Sequence, residues 1–141
     1  MMRRVVPALA LGLLVACAPK SQVVRLGEPG GPEVVAGRYP GRLRLVPAPD
    51  PLFRRSLAWQ QDASAHEDAL RRAARSRYSI KGPLEFRFKY TAVDTAAAAG
   101  VVRYFSFAAD QTVIAGWEVL LVYGLARGNL LRAYVNEVPL E

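Results

Sequence analysis

The sequence predicts an α+β fold: an antiparallel sheet of four to five strands with one helix, long or broken, packed on one face. Three observations carry this. Across residues 51–76 apolar side chains recur at three- and four-residue steps, the helical period. Beyond Pro83 the period changes to two in LEFRFKYTAV, the mark of a strand with one buried face. Three more apolar runs follow, VVRYFSF, VIAGWEVLLVYGL and LLRAYVNEV, parted by short turn segments. An all-β sandwich is the alternative, and it requires residues 51–76 to be loop.

Two short extended runs come first, Val34–Ala36 and Arg42–Val46. In RLRLV, Leu43 and Leu45 share one face and Arg42 and Arg44 the other. PAPDPLF then starts the helix. Asp50 is a good N-cap, and Pro51 fits the first helical position, where a missing N–H costs nothing. Leu52, Trp59, Ala63, His66, Leu70 and Ala73 form the apolar stripe, with Ser56 as its gap. Glu67 and Asp68 precede Arg71 and Arg72 by four residues, the favourable order for ion pairs on a helix. Arg71, Arg72 and Arg75 also complement the dipole at the C-terminal end. SAHE, Ser64–Glu67, fits a capping box, so a break near Asp62 is the alternative to one continuous helix.

In the strand after KGP, Leu84, Phe86, Phe88, Tyr90 and Ala92 are expected inward, with Glu85, Arg87, Lys89 and Thr91 outward. Val113–Leu125 is apolar on both faces, which predicts a central strand covered on both sides. ARGN turns the chain, and Leu130–Val138 is expected as its hairpin partner.

The N-terminus has a different character. Met1-Met2-Arg3-Arg4 is cationic, and Val5–Ala16 is apolar but only twelve residues long. About twenty are needed to span a bilayer, so the run reads as the core of a secretory signal peptide. Its end, Leu14-Val15-Ala16-Cys17, resembles the lipobox of bacterial lipoprotein precursors. The resemblance covers residues 1–17 only. It implies cleavage before Cys17, a diacylglyceryl thioether on its sulfur, and a cell-envelope location at the membrane. Ala18 and Pro19 follow the cysteine. In Gram-negative lipoproteins an aspartate directly after the cysteine signals inner-membrane retention, so its absence leans toward the outer membrane. An ordinary signal peptide with a chance cysteine is the alternative. Residues 18–33 hold three prolines and three glycines without amphipathic period, so 17–33 is expected to be a lipidated flexible tether. The expected organisation is a signal peptide at 1–16, this tether, and a single domain at 34–141.

Several chemistries have no residues to carry them. Cys17 is the only cysteine and His66 the only histidine, so no disulfide forms within the chain and no histidine pair ligates a metal. The acids are scattered rather than paired for glycoside hydrolysis. No serine stands in a G-x-S-x-G setting and no glycine loop follows a strand. His66, on the apolar stripe, reads as packing.

Helix followed by antiparallel strands is similar to the cystatin-like and nuclear-transport-factor-like folds, and QTVIAG resembles the cystatin hairpin motif Q-x-V-x-G. Gln111 and Val113 match, but Gly116 comes one residue late, so the segment reads as a turn leading into a strand.

The net charge is +7, almost all from arginine: Lys20, Lys81 and Lys89 are the only lysines. The outward row Arg87 and Lys89, with Arg42 and Arg44 on a neighbouring strand, is the expected footprint for an anion. Alternation puts the aromatics of FRFKY on the opposite face from these cations, which argues against a nucleic-acid platform. The expectation is a lipid-anchored envelope protein that binds or scaffolds and is not an enzyme. It needs no cofactor, and its partners are the membrane and an envelope protein or anionic surface polymer. A small ligand-binding or enzymatic domain with a pocket between helix and sheet is the alternative.

Overall fold

The computed structural model describes residues 24–27, 30–78, 84–108 and 115–139. In chain order the elements are β1 (Val24–Arg25), β2 (Glu33–Ala36), β3 (Arg44–Leu45), α1 (Phe53–Ala65), α2 (Glu67–Tyr78), β4 (Leu84–Asp94), β5 (Ala99–Ala108), β6 (Ala115–Gly124) and β7 (Leu130–Pro139).

The architecture corrects the expected fold class. The molecule is mostly sheet: seven strands in the order β1-β2-β7-β6-β5-β4-β3, with β2 parallel to β7 and the other pairs antiparallel. Two short helices replace one long one. The physical reason lies in the added strands. Three of them are two to four residues long, too short for a period of two to show. The parallel pairing of Glu33–Ala36 with Arg132–Val135 joins opposite ends of the chain, and no local pattern announces such a contact.

The expected tether is corrected as well. Val24 and Arg25 pair with Val34 and Glu33, and Leu26 is 2% exposed within the core. Folded chain therefore begins before residue 34.

β4, β5, β6 and β7 form a meander in which β6 occupies the middle of the sheet. Its apolar character on both faces has a structural cause, because each face is covered. On one face Trp59, Ala63, Leu70, Ala73 and Ala74 from the helices pack on Val102, Tyr104, Val119, Leu121, Tyr123, Ala133 and Val135. On the other, Tyr39 and Leu43 lie over Ala99, Val101, Leu120 and Val122.

That second cover is a strap, residues 37–43, running from β2 to β3. Gly37, at φ 145°, still donates its N–H to Val135 O at 2.9 Å before the chain leaves the sheet. The strap then crosses β7, β6, β5 and β4 to reach the far edge. Five interstrand gaps amount to ~24 Å, and eight residue steps from Ala36 to Arg44 give ~26 Å when extended, so the strap has almost no slack. Midway, the Tyr39 hydroxyl donates to Asp94 Oδ2 and the Tyr39 ring meets Tyr134 edge-on at 5.3 Å. Asp94 is 4% exposed, and its other carboxylate oxygen accepts the Ala97 N–H.

The helical region breaks at His66, the C-cap of α1, rather than near Asp62. Ser64 lies inside α1, so SAHE does not cap a helix N-terminus. The N-cap of α1 is Leu52, not Asp50, and Pro51 precedes the helix. Asp50, three residues before Phe53, still organises the start, since Oδ1 accepts the Leu52 N–H at 2.8 Å and its carbonyl accepts the Phe53 N–H. The gap in the stripe, Ser56, is fully buried and donates to Phe53 O at 2.6 Å.

Candidate functional site

Position 89 governs what the sheet displays. Phe88 pairs with Tyr104 and Tyr90 with Arg103, leaving Lys89 as a bulge without a cross-strand partner. A one-residue insertion moves every later side chain to the other face. Leu84, Phe86 and Phe88 therefore share the helix-covered face, as alternation predicts. Tyr90 and Ala92 do not: they register with Arg103 and Val101 on the strap face. The separation of cations from aromatics expected in FRFKY holds for Phe86 and Phe88 against Arg87, and the bulge overturns it for Tyr90 alone.

On the helix face, α1 and β4 enclose an open groove of about 510 Å³. Leu57, Gln60, Gln61 and Ser64 line one wall at three- and four-residue steps, beside the buried stripe. Glu67 closes one end, and Phe86, Phe88 and Tyr104 form the floor. Both phenylalanine rings meet Tyr104 edge-on at 6.1 Å. Burial, with a smaller push from Glu67, raises the Tyr104 phenol to about 12, so it stays a neutral hydrogen-bonding group at physiological pH. Leu57 is 46% and Phe88 39% exposed. Arg71 fixes the corner: its guanidinium lies over Phe86 at 5.2 Å, its Nε donates to Leu84 O at 3.0 Å, and Asp68 pairs with it at 2.7 Å.

On the strap face, beyond the strap's reach, Arg87 lies over the Phe107 ring at 5.3 Å and Phe107 stacks on Phe105 at 6.0 Å. Phe105 lies so close over Gly116 that a β-carbon there would sit 2.6 Å from its ring. Arg103 lies over Tyr90 at 5.2 Å, and its Nε stands 2.7 Å from Glu118 Oε2. That contact is close but not directed, since the Nε–H has no hydrogen-bond partner in line.

Of the expected anion-contacting residues, Arg87 and Lys89 are exposed on β4. Arg42, also exposed, is in the strap. Arg44 pairs with Val93 at the far end of β4 and is held by Asp50 at 2.5 Å. The Leu52 N–H and then Arg44 keep that aspartate below its usual carboxylate pKa. β3 does neighbour β4, but six residues of strand, ~20 Å, separate Arg44 from Arg87. The four cations do not converge. Arg103 was missed by sequence reading, although its period-two row with Phe105 and Phe107 marked this face. Cys17, Gln111 and Val113 lie outside the described residues.

His66 is half-buried at the helix break, with Nδ1 2.9 Å from Asp62 O and 3.5 Å from Asp62 Oδ2. The Tyr123 hydroxyl donates to the same carboxylate at 2.7 Å. Burial first, and then Asp62, raises the Tyr123 pKa far above its ordinary value. The cluster joins α1 to β6. Among the described residues no group of three histidine, cysteine or acidic side chains is placed to hold a metal, and no helix is long and apolar enough to cross a membrane.

Comparison with protein-family models, with curated proteins and with solved structures returns no match.

Proposed function

We propose that this is a lipid-anchored cell-envelope protein, acylated at Cys17, that acts by binding and not by catalysis. The groove between α1 and β4 is its binding surface. One observation carries this choice of surface: Leu57 and Phe88 face the groove from its two sides while remaining 46% and 39% exposed. Apolar side chains kept in water beside a polar rim are the pattern of a contact surface. The rim of Gln60, Gln61 and Ser64 offers uncharged donors and acceptors, and the charge of Glu67 at one end is met by Arg71 at 3.7 Å, which suits an extended, uncharged segment of an envelope protein.

The test places a photoreactive amino acid at Leu57 in the full chain and irradiates intact cells. A discrete adduct is expected from Leu57 and not from Leu131, which is similarly exposed at 40% but outside the groove. Phe88→Glu should abolish the adduct. Equal labelling from both positions would remove the groove from consideration. The anchor is tested separately: Cys17→Ser should abolish acyl labelling and release the protein from the membrane fraction.

A second reading, binding of an anionic surface polymer, is favoured by Arg87 lying over Phe107 on the uncovered part of the strap face. Its strength is limited. Arg103 is taken up by Glu118, which leaves Arg87 and Lys89. Two phosphate contacts give a salt slope of only about −2. Titration against anionic liposomes, wall glycan and single-stranded DNA at low and physiological salt, with an Arg87→Glu, Lys89→Glu variant, decides it.

A further inference from the structure

Among the described residues, the outer edge of β4 is unpaired over half its length. β3 reaches only Ala92 and Val93, with Val46 N adding a bond to Thr91 O. Among the described residues no strand pairs with Leu84–Lys89 on that side. The direction of the free groups follows from two contacts. In an antiparallel strand a residue's N–H and C=O point to one side, and the side alternates along the chain. Leu84 O points outward, since it accepts from Arg71 Nε. Thr91 O also points outward, toward Val46, and the bulge at Lys89 accounts for the change of parity between them. Phe86 and Phe88 therefore point their N–H and C=O groups away from β5, along that outer edge. Such an edge is a template for another strand unless it is blocked.

The side chains show which strand fits. On the strap face the edge carries Glu85 and then Arg87, both exposed. An antiparallel copy of the same segment, with its two-fold axis through Phe86, sets Glu85 opposite the partner's Arg87 and Arg87 opposite the partner's Glu85. Phe86 then faces its own copy on the groove side. Both charge pairs are complementary, and the apolar ring meets an apolar ring. The cover leaves room for this on the strand's outer side, because α1 packs more on β5 than on β4.

From this self-complementarity we infer that the protein forms a symmetric homodimer by antiparallel pairing of its β4 edges, Glu85 with Arg87 across the two-fold axis. The interface is isologous, so it closes at two copies and does not propagate. The Lys89 bulge ends the pairing on one side and the Arg71 contact at Leu84 on the other. The continuous sheet places the two grooves side by side, with Phe86 at their junction. The inference does not depend on what the groove binds.

The test uses the full chain carrying Cys17→Ser, which contains no other thiol and no acylation site. Sedimentation equilibrium across the micromolar to millimolar range is expected to show a monomer–dimer equilibrium. Glu85→Arg and Arg87→Glu each place like charges opposite one another at two symmetric positions and should weaken the dimer about tenfold. The double swap, Glu85→Arg with Arg87→Glu, should restore it. All these positions are exposed, so folding is not at issue. In addition, mixing a Glu85→Cys chain with an Arg87→Cys chain should give a disulfide-linked pair, since facing Cα atoms lie ~4.5–5.5 Å apart, within disulfide reach. A monomer at every concentration, a dimer insensitive to the charge changes, or disulfide formation by the Arg87→Cys chain alone would overturn the proposal.

Discussion

The indole of Trp59 lies against the backbone of Gly100: a β-carbon built on that glycine would sit 2.4 Å from Cη2 and Cζ3 of the ring. Trp59 is 2% exposed and stacks on Tyr123 at 6.5 Å, so moving the ring disturbs that packing. Gly100→Ala should destabilise the protein by about 1–3 kcal/mol, as overpacking does. Chemical denaturation with an unchanged m-value is the check, and a change below about 0.5 kcal/mol would show that the indole moves freely.

Leu70→Asp should destabilise by several kcal/mol, because it puts an unpaired charge at a position 2% exposed. Phe88→Ala should cost much less than the ~3–5 kcal/mol of a core aromatic, since that ring is 39% exposed. Equal losses in urea unfolding would mean the groove is closed in solution.

These two positions show what sequence period reveals and what it hides. The stripe Trp59, Ala63, Leu70, Ala73 is buried as the three-and-four spacing requires, because helical geometry leaves those side chains one direction to face. The meander from β4 to β7 was also legible, since each strand is long enough to show its own pattern. The bulge at Lys89 was not. Its effect on Tyr90 and Ala92 comes from an insertion relative to β5, and one strand read alone carries no record of register. The edge pairing at Val24–Leu26 was hidden by prolines and glycines that are compatible with a tight connection as well as with a tether. The groove was half legible: Leu57, Gln60, Gln61 and Ser64 share a helix flank, but nothing in the sequence says that β4 stands across from it.

Removing residues 1–32 should lower stability, since Leu26 leaves the core and β2 loses its outer partner. Leu26→Asp within the full chain should do the same, by several kcal/mol, for the reason given at Leu70. Thermal unfolding compares both with the full chain. Unchanged midpoints would return residues 24–26 to a tether.

Alkaline pH should unfold the protein. Burial, reinforced by Asp94 and Asp62, raises the Tyr39 and Tyr123 phenols well above their ordinary range, and Tyr104 is pushed up to about 12. The folded state thus holds these protons more tightly than the unfolded chain. Their stabilising contribution is complete below the unfolded tyrosine pKa near 10 and declines as pH rises toward and through the folded values. Tyrosinate absorbance followed with circular dichroism should show part of the tyrosine signal appearing only as the fold is lost. Titration of all tyrosines as free phenols, with structure retained, would contradict the burial.

Asp94→Ala should cost about 1–3 kcal/mol, because the Tyr39 hydroxyl and the Ala97 N–H lose their acceptor. Tyr39→Phe, which removes the donor and keeps the ring on Tyr134, should cost less. The ratio of the two losses measures how far the strap is held by the carboxylate and how far by the ring.

The strap has a mechanical consequence. A chain of nearly fixed length joins β2 near one margin of the sheet to β3 at the other, so it acts as a tie rod across the sheet's width. Splaying either margin stretches a segment that is already extended, and the resistance falls on the opposite margin. Lengthening that segment by two glycines would slacken the tie without removing a packed side chain. Amide exchange would then rise at β2 and at β3 together, although four strands lie between them.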